Sequence, residues 1–248
     1  MSTSASPLHG PSSTSAPPSN RLLGALPDGL LEQLLPYLEL VTLDVRDPVA
    51  SPGQPYEYVY FPESCIVSVV NDMRDGSTVE TGTIGNEGVA GLPALMDATS
   101  SESRMFCQVP GAALRAPARV VADFVERERE FRRLVNRYAQ AYLSQVAQGA
   151  ACNRLHGIEQ RCARWLLMSH DRVTGDEFPL KQQFLAEMLG VRRAGVSVAA
   201  SALQESALIR YSRGTVQILD RDGLEAASCE CYGVIRRQFD RLLPRRAS

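Results

Sequence analysis

Two adjacent arginines, Arg192 and Arg193, have side chains that can hydrogen-bond to a nucleic-acid base. One guanidinium can hydrogen-bond both O6 and N7 of a guanine, a contact worth about 1–3 kcal/mol of discrimination against other bases. Lys181 and Arg213 lie on either side of the pair and can hold phosphate oxygens. The predicted DNA-contacting residues are Lys181, Gln182, Arg192, Arg193, Ser197 and Arg213.

The segment around the paired arginines has the pattern of a helix-turn-helix. Residues 182–189 predict one helix and residues 191–203 a second, with Gly190 between them. A tight turn here favours a positive φ, which costs glycine little, and the small Ala186 suits a close crossing of the helices. In this motif the first residues of the second helix, where the two arginines lie, face base edges in the major groove.

A predicted β-hairpin over residues 208–219 follows, with Arg213 and Gly214 at its tip. A hairpin in this place is the wing of a winged helix-turn-helix, and a basic tip can reach a phosphate. Residues 1–151 contain 11 Lys and Arg against 17 Asp and Glu, whereas residues 152–248 contain 15 against 11. The basic half favours a polyanionic partner; the alternative is a helical hairpin of an unrelated α domain.

The first half of the chain has the character of a β domain. Residues 41–114 contain short runs of β-branched and aromatic residues separated by Gly, Pro and Asn turn signals, which predict a β-sandwich or roll. Before them, the leucines between positions 30 and 38 predict a short helix. Residues 1–20, with seven Ser and four Pro, predict a disordered tail.

Helical periodicity begins near residue 118 and includes one candidate dimer interface. The apolar residues of this interface step by four, three and four positions and are Phe131, Val135, Tyr138 and Tyr142. This spacing is that of a short coiled-coil seam. An amphipathic helix that packs on its own domain is the alternative.

The six cysteines and three histidines do not predict a metal site. Cys229 and Cys231 form half of one, but no second close pair or histidine accompanies them in the sequence. We therefore expect no metal, and free thiols in a reducing cytoplasm. Composition is ordinary, with 44% hydrophobic and 22% charged residues, and we expect neither a membrane span nor a secretory signal.

Residues 21–243 resemble the Crp/Fnr family of transcription regulators. The match is closest at residues 189–193 (LGVRR) and at the wing, residues 211–214 (YSRG). The resemblance implies an α+β fold with a β-roll of the cyclic-nucleotide-binding type (a jelly roll), a long dimerisation helix and a C-terminal winged helix-turn-helix. The predicted domains are residues 1–20 (tail), 21–128 (β-roll sensor), 129–153 (dimerisation helix) and 154–248 (DNA-binding domain).

The resemblance also implies how such a protein works. It implies a bacterial, cytoplasmic homodimer that binds a near-palindromic operator in double-stranded DNA, with RNA polymerase as a further candidate partner. Arg193 falls where the family places a base-reading arginine. The acidic residue that often follows is Ala194 here, so a different operator preference is expected.

The predicted sensor departs from the family's phosphate-binding cassette. The corresponding residues place Gly88, Gly91 and Arg104 as candidate effector-binding residues, but Met105 stands where the family has a hydroxyl and Glu87 is out of register. Cyclic nucleotide binding is therefore disfavoured, and the effector is an undetermined small molecule. An ordinary surface or structural ion pair is the alternative role for Arg104.

Two other family sensors do not fit the sequence. The first cysteine is at position 65, whereas the iron–sulfur branch of the family has most of its four near the N-terminus. Haem needs an axial ligand, and no histidine falls in the predicted β domain. No cofactor is predicted.

The sequence also disfavours two other functional classes. A signalling module that regulates a protein partner without binding DNA is disfavoured by the arginines and the wing. An enzyme is disfavoured because the sequence has no catalytic triad order, metal-spaced cluster or phosphate loop.

Overall fold

The computed structural model describes residues 18–243, so most of the predicted tail lies outside the described residues. The last residue of that tail, Asn20, is fully buried and caps helix α1 (Arg21–Gly24) by accepting from two backbone N–H groups. The Asn20 amide also donates to the carbonyls of Pro62 and Gly88, both at 2.9 Å. Asn20, which the sequence assigned to the tail, is therefore part of the folded domain.

The β domain consists of two antiparallel sheets that enclose a core. One sheet has the strand order β1-β7-β3 and the other the order β2-β6-β4-β5. The strands are β1 (Glu39–Leu43), β2 (Pro48–Ala50), β3 (Tyr58–Pro62), β4 (Ile66–Asp72), β5 (Thr78–Ile84), β6 (Arg104–Val109) and β7 (Gly111–Pro117). Helix α2 (Asp28–Leu34) precedes them, as the leucines predict.

Strand β4 is buried on both faces, which explains its nearly uninterrupted apolar sequence. Val67 and Val69 lie in the core between the two sheets. Ile66 and Val70 belong to the larger core that the sheet shares with the helices. The helical half of the chain therefore packs directly on this sheet.

The helical half begins with α3 (Ala118–Arg127) and the 27-residue helix α4 (Arg129–Leu155). The remaining elements are α5 (Ile158–His170), β8 (Glu177–Pro179), α6 (Gln182–Leu189), α7 (Arg193–Glu205), β9 (Ile209–Ser212), β10 (Thr215–Ile218), α8 (Arg221–Ala227) and α9 (Cys231–Leu242). Helix α9 packs along α4, and the three strands form a sheet of order β8-β10-β9. The predicted α+β class is confirmed. In the described part of the chain, no helix is both long and apolar enough to cross a membrane.

The predicted dimer seam lies inside a single chain. Its residues are Phe131, Val135 and Tyr138, which are buried, and Tyr142, which is half-buried. The Tyr138 ring lies 6.4 Å from the ring of Phe239 on α9, and Tyr142 packs against Gly82 of β5. The prediction that this face contacts a second chain is therefore wrong, because periodicity identifies an apolar face but not the surface that covers it.

Candidate nucleic-acid interface and sensor cavity

The turn between α6 and α7 has the geometry of a helix-turn-helix. Gly190 has a φ of 62°, in the left-handed region that favours glycine. Its N–H donates to the Glu187 carbonyl at 3.1 Å, and the Val191 N–H donates to the Ala186 carbonyl at 3.0 Å. This pair of bonds ends α6 in a Schellman motif and redirects the chain into α7.

Helix α7 is anchored by one face and exposes the other. Its buried residues are Val196, Ala199, Ala200 and Leu203, and the helix packs on α5 and α6. Arg192 precedes the first turn and Arg193 begins it, and both are exposed. The positive end of the helix dipole adds to their charge. The predicted arginines thus stand at the accessible N-terminus of the second helix.

The exposed face of α7 continues through two further residues. The Ser197 hydroxyl donates to Oε1 of Gln182 at 2.8 Å, which joins α7 to the first turn of α6. Val198 beside it is 71% exposed. Sequence reasoning missed Val198, although its position outside the buried stripe of α7 could have revealed it. Its methyl groups can contact the C5-methyl of a thymine.

The wing is a tight hairpin between β9 and β10. Arg213 and Gly214 have φ values of 49° and 82°, the two positive values of a type I′ turn. Arg213 is exposed at the tip, and the Leu180 N–H donates to the Gly214 carbonyl at 2.8 Å. This bond holds the exposed Lys181 beside the tip of the wing, so two cations lie close together there.

A cavity of about 270 Å³ lies between the β-roll and α4. Its walls are largely apolar and include Val69, Ile84, Leu92, Met105, Tyr142 and Val146. Glu102 also lines it, but no Lys or Arg of the described residues does. A phosphate buried here would lack a cation, so the cavity suits an apolar ligand.

Comparison with known proteins identifies the C-terminal domain and the overall fold. Residues 160–227 match the family model of the Crp-like helix-turn-helix domain. The fold is similar to that of FixK2 from Bradyrhizobium japonicum (TM-score 0.66, 15% identity, covering 77% of this chain and 98% of that chain). The chain therefore contains a Crp-like helix-turn-helix domain within a Crp/Fnr-type fold.

Other solved structures show the same Crp/Fnr fold. A CRP-family transcriptional regulator from Thermus thermophilus has a TM-score of 0.64 at 18% identity, covering 76% of this chain and 96% of that chain. The c-di-GMP responsive global regulator CLP from Xanthomonas campestris has a TM-score of 0.61 at 17% identity, covering 77% and 99%. No curated protein sequence matches the chain. The resemblance predicted from residues 189–193 and the wing is confirmed.

The loop that corresponds to the family's phosphate-binding cassette is filled by side chains of this chain itself. A Cβ atom added to Gly88 would lie 2.1 Å from the Tyr138 ring, so only glycine leaves room for that ring. Glu87 is paired with Arg172, Nη2 to Oε1 at 2.8 Å, and both side chains are buried. Of the three predicted effector residues, only Gly91 borders the cavity.

Arg104 has a structural partner within the β-roll. Its Nε and Nη2 donate to the two carboxylate oxygens of Asp72 at 2.8 and 2.7 Å. These hydrogen bonds, with a further one from Thr78, lower the pKa of Asp72 to about 2. The predicted role of Arg104 as an effector ligand is replaced by an ion pair between β6 and β4.

Several contacts join the β-roll to the DNA-binding half besides the Glu87–Arg172 pair. Trp165 Nε1 donates to Oε2 of Glu80 at 2.8 Å, and burial raises the pKa of Glu80 to about 7. The rings of Phe106 and Phe184 meet edge to face at 6.0 Å. Arg46 pairs with Glu187 of α6. The helix-turn-helix is therefore docked on the β-roll.

Four potential metal ligands also converge in the helical half, contrary to the expectation of no metal site. Sγ of Cys152, Cys229 and Cys231 and a ring nitrogen of His156 all lie within 4.8 Å of one another. Sequence reasoning found only the Cys229 and Cys231 pair, because the other two donors precede it by about 75 residues. The fold brings the two pairs of donors together at the C-terminal end of α4.

Proposed function

We propose that this protein is a homodimeric regulator that binds near-palindromic DNA through α7 and the wing, under control of an apolar small molecule. The observation that carries the proposal is the exposed face of α7, bordered by Arg192 and Arg193 and flanked by the basic wing. Such a face can enter a major groove while the wing follows the phosphate backbone.

The side chains on this surface divide into two roles. Arg193 and Val198 are placed to read base edges, a guanine and a thymine methyl respectively. Arg213 and Lys181 are placed to hold phosphates. Loss of a base contact relaxes specificity at one position of each half-site, whereas loss of a phosphate contact weakens all sequences alike.

Selection from a random DNA library, followed by titration at several salt concentrations, tests these roles. Arg193→Ala is expected to flatten preference at one symmetric pair of positions, at a cost of about 1–3 kcal/mol for each lost contact. Arg213→Ala should keep the preferred sequence and lower the salt slope by about one unit. Arg119→Ala, an exposed arginine on α3, is the control and should change neither. An unchanged preference in Arg193→Ala contradicts the proposal.

Dimerisation is proposed through the face of α4 opposite the predicted seam. The exposed residues of that face step by four and three positions and are Asn136, Gln140, Leu143, Ala147 and Ala150. Leu143 is 68% exposed at its centre, and the alanines allow a second helix to approach closely. An exposed leucine within a heptad spacing favours a second chain as the covering surface.

Sedimentation at micromolar concentration tests this interface. Leu143→Lys is expected to convert a two-chain species to a monomer, because two lysines would face each other across the axis. Met73→Lys, at a 57% exposed site on the β4–β5 turn, is the matched control and should stay dimeric. A wild-type monomer, or a dimeric Leu143→Lys protein, contradicts the proposal.

Effector control is proposed through the cavity between the β-roll and α4. Tyr142 and Val146 of α4 and Thr81 of β5 line it, and the neighbouring Glu80 bonds Trp165 of the DNA-binding half. A ligand that displaces β5 or α4 would therefore act on the docked helix-turn-helix.

Mass spectrometry of small molecules retained by the purified protein should identify an apolar compound. Val146→Phe, which fills the cavity, should abolish its retention. Calorimetry with cyclic AMP should show no binding, and low-micromolar affinity would contradict this part of the proposal.

A further inference from the structure

The four donors around the end of α4 have the spacing of one coordination sphere. Sγ of Cys152 and Cys229 are 3.5 Å apart, and Sγ of Cys231 lies 3.5 Å from Nδ1 of His156. Tetrahedral zinc, with bonds of about 2.3 Å to sulfur and 2.0 Å to nitrogen, separates its ligand atoms by about 3.5–3.8 Å. These two distances match that geometry, and all the donor atoms lie within 4.8 Å of one another.

Two regular elements place these donors. Cys152 and His156 are four residues apart at the C-terminal end of α4, so they share one face. Cys229 lies in the turn between α8 and α9, and Cys231 is the first residue of α9. The packing of α9 along α4 therefore brings the four donor atoms within 4.8 Å of one another.

The orientation of the His156 ring supports metal binding. Its Nε2 lies 3.2 Å from Oε2 of Glu230, so Nδ1 faces the cysteines. Metal-bound histidines commonly donate their second N–H to a carboxylate, which fixes the ring and its tautomer. Glu230 occupies that outer position here.

Two buried arginines near the thiols provide an independent observation. Arg161 and Arg164 are each only 8% exposed, and both interact electrostatically with Cys152. The Nε atom of each is buried and makes no hydrogen bond among the described residues. Buried cations require a counter-charge, and three thiolates with one divalent ion carry a net negative charge that would supply it.

We propose that Cys152, His156, Cys229 and Cys231 bind one Zn²⁺ ion in a closed tetrahedral site. Four protein ligands leave no open position, which is the arrangement of structural zinc. The ion ties the end of α4 to the start of α9, beside the His156–Gly157 break where the chain turns into α5. It therefore fixes the direction in which the DNA-binding half leaves α4, whether or not that half binds the proposed operator.

Metal analysis of the full chain, purified without chelator from zinc-supplemented cultures, tests the proposal. We expect about one zinc per chain, and less than about a tenth in Cys229→Ser and in Cys152→Ser. Cys162→Ala removes an equally buried thiol from α5 and is the matched control, which should keep its zinc. Zinc retained by both serine variants, or lost from the control, would overturn the assignment.

X-ray absorption at the zinc edge of the wild-type protein needs no variant to fold. The expected first shell has three sulfurs at about 2.3 Å and one nitrogen at about 2.0 Å. Wild-type protein without zinc would overturn the proposal. A Cys152–Cys229 disulfide in that zinc-free protein, found by peptide mapping, would identify the two cysteines as a redox pair instead.

Discussion

The buried pair of Arg172 and Glu87 offers the sharpest test of how the two halves are held together. Arg172 makes three contacts of 2.8–3.1 Å with the carboxylate, and the two side chains are 6% and 5% exposed. Although burial acts to raise the pKa of Glu87, the charge and hydrogen bonds of Arg172 bring it below its ordinary value. Glu87 is therefore ionised and depends on this one cation.

Replacing Arg172 with methionine leaves that carboxylate buried without its partner. Removal of one member of a buried pair costs about 3–5 kcal/mol, most of it from the desolvated charge that remains. Changing Glu87 to leucine in the same chain removes that charge, so the double variant should recover part of the loss. The non-additivity identifies the pair itself as the cause.

Arg104→Met is the matched control for the buried pair. Arg104 also makes two short bonds to a carboxylate, that of Asp72, but the two side chains are 34% and 42% exposed. An exposed pair contributes about 0–1 kcal/mol, because water solvates the remaining charge. The two arginines thus share their chemistry and differ in burial.

Urea unfolding provides the measurement. The single tryptophan, Trp165, lies at the junction between the halves and reports its loss by fluorescence. The unfolding free energy should fall several-fold more in Arg172→Met than in Arg104→Met. Equal losses in both variants, or an additive double variant, would refute the reasoning.

Three further predictions concern single side chains at defined positions. Burial raises the pKa of Glu80 from 4.5 to about 7, so the folded protein holds a proton that the unfolded chain has lost. The unfolding free energy of the wild type should therefore fall by about 3 kcal/mol as pH rises between those values, and then level off. Glu80→Gln should remove this dependence, as measured by unfolding at several pH values. Gly190→Ala should lower the unfolding free energy by about 1 kcal/mol, because position 190 has a positive φ. Gly149→Ala, in open space on α4, should raise it by about 0.5–1 kcal/mol, and the urea midpoint measures both changes. Gly88→Ala should lower the thermal midpoint sharply through its contact with Tyr138, and a smaller side chain at position 138 should relieve that contact; unchanged melting in Gly88→Ala would contradict it.

The helix-turn-helix and the wing were predictable because their signals are local. Gly190 sets its turn within four residues, and Arg213 with Gly214 sets the wing by the φ values that a two-residue hairpin requires. Such features depend on neighbours in sequence. The arginines at the start of α7 could be placed from that local pattern alone.

The remaining features depend on which distant surfaces meet. Tyr138 belongs to an apolar stripe in the sequence, but Gly88 and α9 cover that stripe, so the dimer seam was assigned to the wrong face. Arg104 looks available for a phosphate until Asp72, 32 residues away, is placed beside it. Cys152 gains metal-ligand neighbours only when α9 folds back along α4. Periodicity and spacing carry no information about such pairings.

The docking of α6 on the β-roll has a consequence for the length of the operator. Phe184 and Glu187 attach the helix-turn-helix to the β-roll, so its position relative to that domain is fixed. In a dimer built this way, the separation of the two α7 helices is a fixed distance. Each base pair inserted between half-sites moves one of them by about 3.4 Å and rotates it by about 34°, since a turn holds about 10.5 base pairs. We therefore expect a single permitted spacer length, and relaxed spacing only when the junction is opened.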